Sequence, residues 1–564
     1  MLLIIKFVQP VISTEQIREI DRLTVERYHT PSLLLMEAAA TACLGAIQVR
    51  LGGTLENKTA LVLCGKGNNG GDGAAIARGL SRLGVHCDVI LFGKLADSID
   101  DARINLEAVH QLAAFEAGSS ASPAPLTFSE CEEIAAWEQL ARPRKTYDLI
   151  VDALFGTGLT RPLEDVFLKV IDHLSLLRGA RERGSGVQPL VLSVDIPSGL
   201  NADNSNPIGP AVEADITVTF TAPKPANVLP PACEFCGDLV VANIGSPESL
   251  IEAAKPTLFV SEESDVKRWL VSTRYTPESY KNTHGHALIV AGSRDYTGAA
   301  ALCGNAAMRS GAGLVTVATP ASAQSVVAGR LMPEVMTTAL AETDRGVVSD
   351  DAIEHFRKLS SKATVIAIGP GLTSDDERTR RFVHAVVERR TQPVVIDADG
   401  LNCLAPWPAT LIGSQEHPLI LTPHPGEMLR LIGTDNRSAL DERVAAAREF
   451  ATTRKVILVL KGSRSLVAAP DGRVFINPTG NAGLGTAGSG DTLTGLITGF
   501  LSQAFAGLKQ QASALEATIA ALYIGGLAAD FAARKLGMRT MVASDIREHF
   551  GEAIRFLDSE GEQP

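Results

Sequence analysis

Aromatic side chains, closely spaced cysteines, net positive charge and long uncharged apolar runs are all scarce in this sequence. Aromatics make up 5% of its 564 residues, whereas glycines number 50. So many small residues suit helices packed closely on sheets, the α/β arrangement. The formal net charge of −12 argues against nonspecific binding to nucleic acid or to an anionic membrane. The eight cysteines are scattered, as expected in a reducing cytosol. Only Cys233 and Cys236 lie close together. No second C-x-x-C or Cys/His pair follows, so they read as loop thiols rather than as half of a zinc site or a redox pair. No charge-free apolar run approaches the ~18–20 residues of a membrane span. The apolar start, Met1–Val8, carries Lys6 and has neither a long hydrophobic region nor a small-residue cleavage site. It reads as an upstream extension or a strand, not a signal peptide. A cytoplasmic chain without nucleic-acid or membrane partners is expected, as a homo-oligomer.

What is present is α/β alternation, twice. The length exceeds one ordinary core, and 45% hydrophobic with 21% charged residues is a globular balance. Ser13–Gln16 offers a helix cap, and Pro31 stands where a second helix begins. Strands are predicted at Thr59–Cys64, His86–Phe92, Leu149–Ala153, Leu190–Val194 and Ile216–Phe220. They are short apolar runs, as in a parallel sheet covered on both faces. Residues 116–146 and 180–188 read as surface loop, and Gly245–Pro256 as a linker. The alternation resumes near residue 260. Strands are predicted at Ala287–Ala291, Leu314–Ala318, Thr364–Ile368, Pro393–Ile396, Leu419–Thr422, Val456–Leu460 and Ser465–Ala468. No solenoid-length repeat is visible. The chain therefore reads as two different doubly wound α/β domains, 1–245 and 260–564, joined by a linker at 246–259.

The run Gly485-Thr-Ala-Gly-Ser-Gly-Asp491 carries the clearest chemistry. Small residues open an apolar helix, so bare backbone N–H groups and the helix dipole face whatever anion binds there. Asp491 stands ready to take a proton from an attacking hydroxyl. Around it, Lys461 at a strand end suits phosphate, and His424 sits stiffly between two prolines. Asp397 and Asp399 either orient groups, help to hold Mg²⁺, or serve as turn residues. In the first half, the loop Cys64–Gly73 contains Asn68, Asn69 and Asp72 among its glycines. Asp152 ends one predicted strand and Asp195 follows another, with Ser198 close by. Ligands of open α/β sheets bind at the carboxyl ends of strands, so these three ends imply one pocket. The oxygens of Asn69, Asp152 and Ser198 suit a hard cation but are too few and too lightly charged for a strong Ca²⁺ cage; a monovalent ion such as K⁺ is compatible with them. Lys224 is either a site lysine or a solvated loop residue.

The motifs GKGNNGGDG, VDALFGTGLTRP and DIPSGLNAD, preceded by LLLMEAAA, closely resemble the NAD(P)H-hydrate epimerase domain across roughly residues 13–245. The resemblance implies a Rossmann-like fold. It places hydrated cofactor on Asn68, Asn69, Gly70, Gly71, Asp72, Gly156, Thr157, Gly158, Leu159, Thr160, Arg161, Pro162 and Asp195. It places K⁺ on Asn69, Asp152 and Ser198 and makes Asp152 the candidate acid/base. Alone, GTAGSGD resembles the ribokinase superfamily. With AGSRDYTGAA, RSGAGLVTVATP, IGPG, DADGLN, TPHPGEM, LKGS and NAGLGTAGSGD, the second half closely resembles the ribokinase-like NAD(P)H-hydrate dehydratase. That implies substrate contacts at Ala299, Gly313, His424 and Asp491. It implies nucleotide contacts at Lys461, Gly462, Ser463, Arg464, Ser465, Asn481, Gly485, Thr486, Ala487, Gly488, Ser489 and Gly490, with Mg²⁺. The fused arrangement resembles bacterial and archaeal members, which implies ADP as donor. One departure is Tyr523-Ile-Gly-Gly526, where a His-Gly pair is the family pattern.

The combined reading is a bifunctional repair enzyme. It epimerises the R and S hydrates of NADH and NADPH, through reversible water loss or ring opening. It then dehydrates the S form with ADP, giving AMP and phosphate. Two rivals remain at this point: a small-molecule kinase of hydroxymethylpyrimidine or thiazole type, and a first half that merely binds nucleotide or oligomerises.

Overall fold

The computed structural model describes residues 9–117, 126–141, 146–182 and 188–558. A short strand, β1 (Gln9–Val11), opens the described chain. Residues 10–256 form one compact unit and the chain from Thr257 onward forms another.

The first unit is built on seven strands: β2 (Thr59–Cys64), β3 (His86–Phe92), β4 (Leu126–Cys131), β5 (Leu149–Ala153), β6 (Leu190–Val194), β7 (Ile216–Phe220) and β8 (Asp238–Ala242). They run in the order β4-β3-β2-β5-β6-β7-β8, and every neighbouring pair is parallel. This is the doubly wound Rossmann order with one strand added. Along β2 the side chains alternate between two cores. Ala60, Val62 and Cys64 enter one, and Leu61 and Leu63 enter the other. Both faces are covered, which is why the strand is almost continuously apolar. Strand order reverses between β2 and β5, where Leu63 pairs with Asp152. A crevice opens at such a switch point.

The second unit has strands β9 (Leu258–Val260), β10 (His286–Val290), β11 (Leu314–Pro320), β12 (Met336–Leu340), β13 (Val365–Ile368), β14 (Val394–Ile396), β15 (Leu419–Leu421), β16 (Ile457–Leu460), β17 (Leu466–Ala468) and β18 (Val474–Ile476). Their order is β9-β18-β17-β16-β15-β14-β13-β10-β11-β12. Strands from β16 to β12 are parallel, while β16, β17 and β18 form antiparallel pairs. The reversal falls between β10 and β13. Helices Thr297–Arg309 and Ser489–Gln503 cover this region and share one large core with Ala287, Ile289 and Val317.

Several elements differ from expectation. The supposed loop at 116–146 contains β4 and helix Ile134–Ala141. β4 is a half-exposed edge strand, and its Thr127, Ser129 and Glu130 disguise it. Edge strand β12, with Thr337 and Thr338, is disguised in the same way, whereas β8 is apolar beyond Asp238 and its composition does not hide it. The expected linker at 246–259 carries helix Glu248–Ala253, and β9 begins at Leu258. The compact units meet in sequence at Pro256 and Thr257. Met1–Val8 and most of 180–188 lie outside the described residues.

Candidate active sites

In the first unit, β2 delivers the chain through Gly65–Gly67 into helix Asn68–Arg82. No side chain caps that helix, and among the described residues the amides of Asn69 and Gly70 meet no acceptor. Exposed amides at a helix start attract anionic or polar ligand groups. A cavity of about 520 Å³ opens here, with Asn68, Asp72, Thr157, Gly158, Asp195 and Lys224 in its wall. The polar groups expected from three strand ends do converge. Leu159 instead packs into the core, and Gly71 lies against Met36 and Ala102. Thr160, Arg161 and Pro162 are exposed and do not line the cavity.

Asp152 is completely buried. One carboxylate oxygen, Oδ1, accepts from Ser198 Oγ at 2.6 Å and from Leu154 N–H at 3.5 Å. The other accepts from Ser193 Oγ at 2.8 Å and Ser198 N–H at 2.9 Å. Burial pushes this carboxyl up, and the bonds from Ser198 and Ser193 oppose that push. Asp152 is thus a clamped group below the loop, outside the cavity lining. Ser198 Oγ also accepts from Phe155 N–H at 3.0 Å and lies 3.3 Å from the Phe155 carbonyl oxygen. Asn69 borders Gly156, and its buried Nδ2 has no acceptor among the described residues. Oxygens of Ser198, Phe155 and Asp152 lie together with a single carboxylate among them, and Asn69 borders the adjacent Gly156. No group of three His, Cys, Asp or Glu residues among those described forms a metal cage. The donor chemistry suits a weakly charged cation rather than a divalent one.

Asp195 follows β6 with a left-handed φ of 67°. Its Oδ1 accepts from Lys224 Nζ at 2.5 Å and Thr219 Oγ1 at 2.9 Å. Lys224 is only 1% exposed. It completes its bonding to Thr219 Oγ1 at 2.9 Å and the Phe220 carbonyl at 3.1 Å. Of the two readings of Lys224, the buried site lysine is the one present.

In the second unit the groups gather at the carboxyl ends of β14, β15 and β16. Helix Ser489–Gln503 starts after Gly488, whose φ of 85° is left-handed, and no side chain caps it. Ser489 N–H reaches Thr486 O at 3.4 Å, and the amides of Gly490 and Asp491 meet no acceptor among the described residues. A Cβ on Gly490 would lie 3.3 Å from Lys461 Nζ. Lys461 donates to Asp397 Oδ1 at 2.8 Å and stands 3.9 Å from Glu427 Oε2. Thr494 Oγ1 donates to Asp397 Oδ2 at 2.8 Å. Burial raises the Asp397 carboxyl, but Lys461 and these bonds outweigh it and hold it below its ordinary value. Asp491 has no such cation to itself. Burial and the charge of Asp397 push it up to about 7.

His424 caps helix Pro425–Ile432, its Nδ1 accepting from Gly426 N–H at 3.0 Å and Glu427 N–H at 3.3 Å. That fixes the neutral ring with its proton on Nε2. Burial and nearby Lys461 and Arg430 keep it neutral. Asp399 accepts from Thr373 N–H at 3.0 Å and so braces a turn. Asn481 accepts from Gly483 N–H at 3.0 Å and donates to Asp530 Oδ1 at 2.8 Å. Asp530 also accepts from Gly480 N–H at 3.0 Å, so it supports the glycine loop. Gly485 is open. Thr486 and Ala487 lead into the helix, and Ser489 Oγ donates to Leu484 O at 2.7 Å. Arg464 bends with a φ of 51°. Ser463 O accepts from Arg443, and Ser465 Oγ donates to Gly462 O at 3.0 Å. Tyr523 O accepts from Thr479 at 2.8 Å, which gives the departing Tyr-Ile-Gly-Gly segment a packing part.

Gly313 is not brought to this cluster. It precedes β11 at the amino edge of the sheet, where its N–H donates to His284 O at 3.2 Å. A Cβ there would lie 1.7 Å from the Lys281 carbonyl, so close backbone approach explains the glycine. Gly371, after β13, is the glycine beside Ala299, where a Cβ would come within 3.1 Å of the alanine methyl. Sequence reasoning also missed Glu427, Thr494 and Asp21. The spacing of a capping box, His424 to Glu427, signalled the first. The i, i+3 spacing from Asp491 signalled Thr494. Nothing marked Asp21 among the charges of its helix.

Two family models match the chain: one described as YjeF-related protein N-terminus over residues 32–226, the other as NAD(P)H-hydrate dehydratase over 287–551. The bifunctional NAD(P)H-hydrate repair enzyme Nnr of Moorella thermoacetica is 38% identical, covering 98% of both chains. The Escherichia coli enzyme of the same name is 32% identical, covering 91% of this chain and 88% of its own. Among solved structures, the ADP/ATP-dependent NAD(P)H-hydrate dehydratase of Bacillus subtilis, co-crystallised with ATP/Mg²⁺, is 31% identical. It covers 52% of this chain and 97% of its own, with a TM-score of 0.44. Near-full-length identity to relatives carrying both halves shows that this chain belongs to the family of bifunctional NAD(P)H-hydrate repair enzymes.

Proposed function

We propose that the chain repairs hydrated NADH and NADPH in two steps, one in each unit. The first unit interconverts the R and S hydrates. The second removes water from the S form by way of phosphoryl transfer. Water is a poor leaving group. Once the C6 hydroxyl carries a phosphoryl group, phosphate leaves with the C–O bonding electrons, a ring proton is lost, and the dihydropyridine returns.

The observation that carries this reading is the uncapped start of helix Ser489–Gln503 with Asp491 inside its first turn. Asp491 accepts the hydroxyl proton as the oxygen attacks phosphorus. Backbone amides at Gly488–Gly490 and the Lys461 ammonium meet the charge on the transferred group. His424, neutral and bearing hydrogen on Nε2, offers a donor to the hydrated ring, with Ala299 as a further contact. The nucleotide is assigned to Lys461–Ser465 and Asn481–Gly490. Mg²⁺ fits beside Glu427 and Asp397, because it is commonly held by one or two carboxylates together with phosphates. When bound it neutralises phosphate charge. ADP is the proposed donor. In the first unit K⁺ is assigned to Asn69, Asp152 and Ser198. Asp152, clamped to Ser198, then acts by fixing that oxygen set below the cavity.

The test uses hydrated NADH with K⁺, Mg²⁺ and either ADP or ATP, and follows the return of dihydropyridine absorbance. Recovery with AMP and orthophosphate as products supports the proposal. A stable phosphorylated product would favour the kinase rival. No recovery with either nucleotide would end the reading.

A further inference from the structure

We propose that Asp21 is a proton-transfer residue of the first unit's cavity, acting with Asp72 on the ring carbon that bears the hydroxyl. The proposal rests on reading that cavity as the epimerisation site.

Asp21 comes from helix Thr14–Tyr28 and Asp72 from helix Asn68–Arg82, and both line the same cavity. Asp72 is 8% exposed and has no hydrogen-bond partner among the described residues. Asp21 Oδ1 is buried and equally without a partner. A buried carboxylate oxygen without a partner is costly unless a ligand completes it, and the unbonded Asp72 carboxyl faces the same cavity. The third carboxyl, Asp195, differs: the buried Lys224 already neutralises it through the 2.5 Å contact. Asp152 is clamped by four donors beneath the cavity and has little freedom to exchange a proton with a ligand there.

The remaining pair, Asp21 and Asp72, faces the cavity from two different helices. Burial, with the charges of Asp195 and Asp21, pushes the Asp72 carboxyl well above its ordinary value. Burial raises Asp21 to about 6, with Lys224 pulling it down and Asp195 pushing it up. The charged groups around Asp21 in this wall are Arg18 and Arg22 of its own helix, Asp72, Asp101, Asp195 and Lys224. The cavity therefore sets two carboxyls facing one space, with Asp72 favouring its proton, an arrangement suited to acid–base epimerisation.

The step balances without an oxidant. Asp72 gives its proton to the hydroxyl oxygen and the C6–O bond breaks, with water taking the electron pair. The ring nitrogen lone pair stabilises C6. Water adds to the other face of C6 and loses its proton to Asp21. Transfer of that proton back to Asp72 restores the enzyme, and the reverse direction exchanges the roles.

The experiment uses the full chain and the R hydrate of NADH, with the rate of S formation measured above the uncatalysed background. Asp21→Asn should lower kcat by about 100-fold or more with KM changed less than about threefold. Asp21→Glu should recover part of the loss. In the wild type, kcat/KM should fall as pH drops through about 6, and Asp21→Asn should lack that limb. Dehydration of supplied S hydrate should be unaltered. A wild-type profile flat from pH 5 to 8 overturns the proposal whatever the variants do. So does Asp21→Asn retaining wild-type kcat, or raising only KM. A wild-type chain that forms no S hydrate above background would instead overturn the epimerase reading itself.

Discussion

Asp491 is held in surroundings that oppose the charge its chemistry requires. Burial and Asp397 raise it to about 7, so a sizeable fraction of the free enzyme carries the proton at neutral pH. A base must be ionised to act. The kcat/KM for the S hydrate, which reports groups of the free enzyme, should therefore climb as pH rises through about 7 and level off above. Asp491→Asn should abolish that climb and lower kcat by roughly 10²–10⁴-fold. Stability moves the other way. The ordinary carboxyl value is 3.8, so between about pH 4 and 7 the folded state keeps a proton that the unfolded chain releases. The contribution of this group is full below pH 4 and is lost as pH rises through 7. Asp491→Asn should consequently raise the melting temperature of the second unit at pH 8 more than at pH 5. Thermal unfolding at the two pH values checks it, and an equal change at both would contradict the raised value.

At the level of elements, Asp491 is placed by a helix contact as much as by its loop. Gly495 and Gly499, four residues apart, lie on one face of helix Ser489–Gln503. A Cβ on Gly495 would fall 2.2 Å from the Cys303 carbonyl, and one on Gly499 would fall 1.7 Å from Ser310 Oγ. Helix Thr297–Arg309 thus runs against bare backbone, and the stacked Trp269 and Phe500 rings, 4.1 Å apart, hold the far end. Gly495→Ala should cost about 1–3 kcal/mol by overpacking and lower dehydration without changing epimerisation. Denaturant unfolding and the two assays measure this separately. Gly313→Ala tests the glycine that precedes β11 at the amino edge of the sheet. It should lower the melting temperature of the second unit but leave KM for the S hydrate within about twofold, because its clash is with Lys281 rather than with a ligand. A large rise in KM at unchanged stability would return Gly313 to the binding surface. Element types were legible because buried parallel strands such as β2 and β13 are uninterrupted apolar runs. Edge strands such as β4 and β12 were not, since they carry polar residues that loops also favour. The glycine loops could be read as facing the cavity, as Asn68 and Asp72 do, but the inward packing of Gly71 and Leu159 within them could not. Asp21 could not be read, and Lys224 could be read only as one of two alternatives, because both matter through burial near Asp195.

For the whole molecule, each unit has its own sheet, its own hydrophobic core and its own cluster of titratable groups. The Asp152 network draws only on residues of the first unit. The Asp397–Lys461–Glu427–Thr494 network draws only on the second. A lesion in either network should therefore silence one step and spare the other. Asp152→Asn should retain dehydration of S hydrate and lose conversion of R to S. Asp491→Asn should do the reverse. Mixed in equal amounts with a racemic hydrate of NADH, ADP, Mg²⁺ and K⁺, the two variants should regenerate all of the NADH. Asp152→Asn alone should stop near half, apart from slow uncatalysed epimerisation. The S hydrate made on one chain must then leave it and be consumed on another, so the rate of the second half should rise with total protein concentration. Full recovery by the mixture requires separable active sites on a diffusible intermediate. Recovery no greater than that of Asp152→Asn alone, with both variants folded, would mean that the two steps need intact sites on the same chain.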